Sequence, residues 1–453
     1  NGSITFTGAG NLTLDSTVTS LGTLSITNGT VVYDGVDQTV FSDVYHNLTA
    51  GGGSGIKALG GEVTVAGDLT IDTDVTIAMD THLLTVTNIT DIDGTLAVAD
   101  NTLTLDGASD IDGVITISTG TVDANGVFDA ENGSITFTGA GNLTLDSTVT
   151  SLGTLSTTNG TVVYDGVDQT VFSDVYYNLT AGGGSGTKIL GGAVTVDNGL
   201  VIDAGVTFDV SGSENYSVSI EGALENNGTF SAQEGTVTFN GFDNQVFTPG
   251  SSSYYNITLN NSGGDEKTLV IADDLVIDND LTLTNGTLNL NSNDPAISIG
   301  GDLAIADGAV WTKGDETVTF DGATQLLSDA NTVSNNLGDA LIDCDILTVA
   351  TNATVTSVQI LSGTRATINP SVSFTVNGAL TITGELEMTD GSVVDAGGDV
   401  TVTAAGTLDM DGTSRLKMEE DLSFSGILEA SDDSRIDLDG DTQQTIYGSA
   451  TPI

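Results

Sequence analysis

Basic residues are almost missing from this chain. Eight Lys and Arg stand against 62 Asp and Glu in 453 residues, a formal charge of −54, and phosphate contacts need clustered cations, so nucleic acid is excluded as a partner. Long apolar runs are missing too. None approaches the roughly 18 residues of a membrane span, so no membrane insertion is expected. Cys344 is the single cysteine, which rules out an intramolecular disulfide and reads as a small buried hydrophobe among Leu341, Ile342 and Ile346. Proline (four) and tryptophan (one) are scarce, and blocks of Ala, Leu, Lys and Glu that would build helices do not occur. The chain opens on Asn1 with no basic and then apolar leader, so it is expected to be processed or cut from something longer.

What is present is glycine (58 residues), a 38% hydrophobic fraction and only 15% charge. Such a chain can bury a core despite its acidity, and its small, β-branched and turn-forming residues describe an all-β protein.

Internal repetition organises the sequence. Residues 1–55 return as residues 132–186, an offset of 131, with two changes: Ile26 becomes Thr157 and His46 becomes Tyr177. A looser marker recurs as Tyr33-Asp34-Gly35 with Gln38, Tyr164-Asp165-Gly166 with Gln169, Phe239-Asn240-Gly241 with Gln245, Phe320-Asp321-Gly322 with Gln325, and Leu438-Asp439-Gly440 with Gln443. The first three are followed by Asn47-Leu48-Thr49, Asn178-Leu179-Thr180 and Asn256-Ile257-Thr258, then by Lys57, Lys188 and Lys267. Three of five lysines thus share one repeat position. These markers divide the chain into residues 1–131, 132–238, 239–319 and 320–437, with 438–453 starting a further unit that the chain end interrupts.

Between markers run apolar-polar-apolar triplets such as Ile4-Thr5-Phe6 and Leu12-Thr13-Leu14, separated by Gly, Asn, Asp and Ser. Period-two alternation buries one face of each strand. The triplets start too close together for helices, and they are short for sandwich strands of about five to six residues. They suit a parallel β-solenoid of short three-strand rungs, an elongated rod with roughly 20 to 25 residues per turn. The repeat offset then holds about six turns, and the whole chain makes a rod on the order of 100 Å long at about 4.8 Å per turn. Asn-Gly pairs at Gly29, Gly126, Gly160, Gly228, Gly286 and Gly378 are expected to supply positive φ at the corners. Asn-Gly is also a hairpin signal, which keeps a string of β-sandwiches as the alternative. Varied spacers and the lack of mirrored alternation weigh against it.

Stretches such as Gly235-Thr236-Val237-Thr238-Phe239-Asn240-Gly241, Tyr255-Asn256-Ile257-Thr258-Leu259 and Leu281-Thr282-Leu283 resemble the repeats of filamentous-haemagglutinin-like and autotransporter-like bacterial adhesins and related surface-fibre proteins. The resemblance extends over essentially the whole chain. It implies a parallel β-helix serving as a secreted stalk or fibre.

Candidate chemistry is sparse. His46 is Tyr in its own copy, His82 has no second base beside it, and Arg415 and Lys417 share one strand face, where stacked carboxylates would pair with them. No catalytic residue or required cofactor follows, so an enzyme is not expected. Metal is the better candidate. Asp91 and Asp93, Asp110 and Asp112, Asp409 and Asp411, and Asp437 and Asp439 each put two carboxylates on one side of an extended segment before a glycine, and hard oxygen donors favour calcium. No EF-hand loop or phosphate loop is completed. The expectation is an extracellular structural protein at the cell surface, the shaft or repeating subunit of a fibre, sheath or layer, with other copies of itself as partner. The alternatives are an adhesin stalk binding cell-surface glycans through Tyr176-Tyr177 and Tyr254-Tyr255, and, further off, a polysaccharide-active β-helix enzyme.

Overall fold

The computed structural model describes residues 2–261, 267–431 and 433–448. It holds no helix and about 51% strand, with all sheets parallel, in about 22 turns of β-solenoid. The parallel pairing removes the hairpin and sandwich alternatives. One turn consists of Leu69–Ile71, Val75–Ala78 and Leu84–Val86, and the next of Thr90–Ile92, Thr95–Val98 and Thr102–Leu105. Leu69 pairs with Thr90, 21 residues on, and Leu84 with Leu103, 19 residues on. The turns therefore lie at or just below the short end of the expected range.

The triplets form this coil because their alternation matches the pleat. Leu69 and Ile71 are buried while Thr70 between them faces outward, and each inward residue rests on its partner in the turn before. The column Leu84, Leu103, Val122, Leu143, Val162 and Leu179 runs through successive in-register pairs, every member at most 2% exposed. Each such side chain contributes roughly 2 kcal/mol by leaving water. Trp311 is also interior, and its indole N–H donates to the carbonyl of Leu337 at 3.2 Å.

The corners use glycine in two ways, only one of which was expected. Gly29 and Gly160 take φ of 84° and 80°, and a Cβ there would also strike the rings of Phe6 and Phe137. Gly126, Gly228 and Gly378 do not adopt positive φ. There the carbonyl of an earlier turn lies 2.1, 2.4 and 2.9 Å from where a Cβ would stand, those of Gly107, Asp203 and Thr356 respectively. Close stacking of backbones, and not handedness of the turn, requires glycine at these three corners.

Packing divides the chain into two compact units: Asn1–Tyr216 with Asn227–Thr229, and Ser217–Asn226 with Phe230–Ile453. The division falls inside the stretch 132–238 that the repeats mark off. In the second unit, one sheet climbs from Ser253–Tyr254 through Leu380–Ile382 to Ile446–Gly448, and another from Ala353–Val355 to Arg435–Leu438.

The first unit contains both copies of the duplicated segment, and they do not occupy the same faces. Thr30–Tyr33 belongs to the sheet that runs from Asn11–Leu14 to Val149–Ser151, whereas its copy Thr161–Tyr164 belongs to the sheet containing Leu84–Val86 and Asn142–Leu145. From Thr30–Tyr33 the chain passes six pairings along its own sheet to Val149–Ser151 and then advances two more faces to Thr161–Tyr164. The offset of 131 residues therefore spans six and two-thirds turns, not six whole ones. At roughly 4.8 Å per turn the copy is shifted about 32 Å along the coil and rotated by two faces.

Candidate functional site

The recurrent marker proves to be interior machinery. Gln38 accepts the N–H of Gly35 at 2.8 Å and donates to the carbonyls of Leu14 and Ser16 in the preceding turn at 2.7 and 3.1 Å. Gln169 repeats the clamp on Gly166, Leu145 and Ser147 at 2.7, 2.7 and 2.8 Å. Gln245 and Gln325 likewise donate to two carbonyls of an earlier turn. In the last marker the clamp is made by Gln444, not the expected Gln443, reaching the carbonyls of Met418 and Glu420. Its four-residue step from Gly440 matches that from Gly241 to Gln245.

Lys57 and Lys188 are fully buried. Each ammonium donates to three carbonyls: those of Gly35, Val36 and Ser54 for Lys57, and of Gly166, Val167 and Ser185 for Lys188. Burial pushes both amines below the usual lysine range, while Asp37 and Asp34 beside Lys57, and Asp165, Asp168 and Asp146 beside Lys188, oppose it. Lys267 departs from this pattern. It is partly exposed and pairs with Asp243 at 3.4 Å.

The tyrosines behind the marker also face inward. The hydroxyls of Tyr33 and Tyr45 lie 2.9 Å apart, and those of Tyr164 and Tyr176 3.0 Å. Each pair takes up the backbone of one residue: Tyr33 accepts the N–H of Phe41 while Tyr45 donates to its carbonyl, and Tyr164 and Tyr176 do the same at Phe172. Burial raises the pKa of all four phenols. Of the tyrosines considered for glycans, Tyr176 and Tyr254 are thus core residues; Tyr254 packs on Phe230 and Phe247. Tyr177 and Tyr255 are half-buried at outward positions.

The acidic pairs form columns. Asp91 lies on Thr90–Ile92 in register with Asp110, which is in register with Asp129. Asp93 and Asp112 stand at the following corner, their N–H groups bonded to the carbonyls of Ile71 and Ile92. Partial burial, followed by repulsion from neighbouring carboxylates including Asp93, Asp112 and, for Asp91, Asp72, raises the pKa of Asp91 and Asp110. Asp409 continues a column with Glu387 and Glu429, and burial and then Asp411 and those glutamates raise its pKa as well. Asp437 and Asp439 are engaged otherwise. The Arg415 Nε donates to Asp437 at 2.9 Å, with a second bond from its Nη2, Arg435 lies 3.6 Å from Asp437, and Lys417 bridges Asp395 and Asp439 at 3.6 and 3.9 Å. The expected pairing of Arg415 and Lys417 with stacked carboxylates is what the strands produce.

Among the described residues no three His, Cys, Asp or Glu side chains converge as a metal cage. The columns instead hold like charges about 4.8 Å apart, an arrangement that draws counter-ions along a whole face. Cys344 is fully buried, and burial pushes its thiol up to about 11. Two features had no sequence signal. Asp329 is buried, its carboxylate accepting N–H groups from Asn331 and Asn335, and an open groove of about 810 Å³ lies beside Gln169. Comparison with family models, with curated proteins and with solved structures finds no match.

Proposed function

We propose that the chain is an extracellular structural protein, the β-solenoid shaft or repeating subunit of a cell-surface fibre, sheath or layer, and that it assembles with copies of itself. The observation that carries this reading is what the duplication reproduces. The Tyr pair, the Gln clamp and the buried Lys recur in the second copy with nearly the same hydrogen-bond lengths, while the two changed positions lie outside the core. A scaffold needs its interior copied and tolerates drift outside.

The rotation of the second copy supports the same view. Identical outward residues on faces two-thirds of a turn apart do not line up as one ligand-binding strip. The resemblance to surface-fibre and adhesin stalks adds weight, and the unbroken strand ladder gives each turn a neighbour that satisfies its backbone. Sedimentation velocity of the purified chain across a concentration series, with and without Ca²⁺, tests the proposal. Species that grow with concentration are expected; a monomer under every condition refutes self-assembly and directs attention to glycan binding at Tyr177 and Tyr255.

A further inference from the structure

The duplicated segment carries a break in the sheets. In the first unit, Val149–Ser151 is the last strand of its sheet, paired with Phe128–Asp129, and Gln169–Val171 is the first strand of a new sheet, paired with Thr187–Leu190. Each therefore has an open edge. The groove of about 810 Å³ lies between them, with Asp146 and Val149 on one side and Asp168, Thr170, Ile189 and Asp209 on the other.

An open strand edge offers unpaired N–H and C=O groups, and proteins usually blunt such edges with Lys or Pro. Neither residue lines this groove. Three carboxylates do, and Asp146 is further raised in pKa by burial and by Asp165 and Asp123, with Lys188 opposing from behind the floor. Ile189 is 43% exposed and Val149 half-buried, which supplies apolar contact between the charges.

We propose that this groove docks an extended segment of another protein bearing Lys or Arg. The segment adds as a β-strand to the edge of Gln169–Val171, with its cations at Asp146, Asp168 and Asp209 and its apolar side chains on Val149 and Ile189. Backbone pairing gives the affinity and the carboxylates give the sign of charge.

A second copy of this chain is a poor source of such a strand. Of its eight basic residues, Lys57 and Lys188 are buried, and Lys267, Arg365, Arg415, Lys417 and Arg435 are in ion pairs. Lys313 alone is left among the described residues. The first copy has the matching open edge at Gln38–Val40, and it keeps Asp15 and Asp37, but Ala58 and Ala78 stand where Ile189 and Asp209 pair in the second. The site is thus elaborated in one copy and goes beyond the scaffold role.

The test is fluorescence anisotropy at physiological ionic strength, which screens diffuse attraction to the acidic surface. The probe is a labelled peptide alternating lysine and valine, set against the same peptide with proline at every second position and against one with glutamate for lysine. The protein is compared with the triple variant Asp146→Asn/Asp168→Asn/Asp209→Asn and with a control, Asp93→Asn/Asp110→Asn/Asp112→Asn, each shown to melt as wild type does. The expected result is binding of the Lys-Val peptide alone, weakened roughly tenfold or more by the groove variant and by less than about twofold by the control. No binding, equal weakening by both variants, or equal binding of the proline peptide would overturn the proposal.

Discussion

Replacing Gln169 by leucine should loosen two turns of the coil and leave the rest intact. The leucine keeps the apolar bulk but removes the acceptor for the Gly166 N–H at 2.7 Å and the donor to the Leu145 and Ser147 carbonyls at 2.7 and 2.8 Å. At a net contribution of about 1 kcal/mol for each hydrogen bond, the loss is about 3 kcal/mol. That corresponds to roughly a hundredfold faster opening. Because each turn of a solenoid contacts only its neighbours, the effect stays local. Native-state hydrogen exchange read by mass spectrometry measures it: amides in residues 142–190 should lose protection while those in 380–418 keep it. Gln169→Glu retains the acceptor but sets a carboxylate against two carbonyls, so it should cost more than leucine at neutral pH and recover on acidification, when the acid regains a donor. Unchanged protection in both variants, or a loss spread evenly over the chain, would refute the clamp.

Three further outcomes follow from the interior and the acidic columns. The Thr90 hydroxyl is buried without a partner, so Thr90→Val should raise stability by up to about 1 kcal/mol in thermal or denaturant unfolding; a loss would mean the hydroxyl is satisfied. Asp91, Asp110 and Asp409 have native pKa values raised above the ordinary 3.8, so the native state binds their protons more tightly than the unfolded chain does. Stability should rise as pH falls from neutral through the window above 3.8 and gain nothing more from these groups below it; a melting temperature that only falls on acidification would contradict this. Ca²⁺ should raise the melting temperature more than Na⁺ at equal ionic strength, since a charge of −54 must be screened along the columns. A chelator that produces no shift would remove calcium from the account.

Much of this architecture was legible in the sequence because a solenoid writes its structure locally. Triplets such as Leu69-Thr70-Ile71 announce which residue points inward, and the turn length follows from their spacing. The face on which a strand falls is a different matter. It depends on the sum of all corner lengths before it, so Thr161–Tyr164 came to lie two faces from its original without any local sign. The markers were visible as repetition, yet their role was hidden. Asp-Gly followed by Gln looks like a surface turn, and only the stack of turns shows that the Gln side chain reaches back to Leu14 or Leu145. Lysine burial was equally hidden, although finding Lys57 and Lys188 at one position in a lysine-poor chain was a signal that could have been followed further. The aspartate pairs were placed on exposed columns and corners as expected, but opposite charges from the neighbouring strand engage Asp437 and Asp439, a contact between turns that no local motif encodes. The groove beside Gln169 is invisible for the same reason: it arises where one sheet stops and another starts.

The most direct measurement is cryo-electron microscopy of the native material, imaged in Ca²⁺ and again after chelation. The scaffold account predicts ordered filaments, tubes or sheets built from parallel β-solenoids, loosened when the divalent ion is removed. Isolated single chains in both conditions would contradict it.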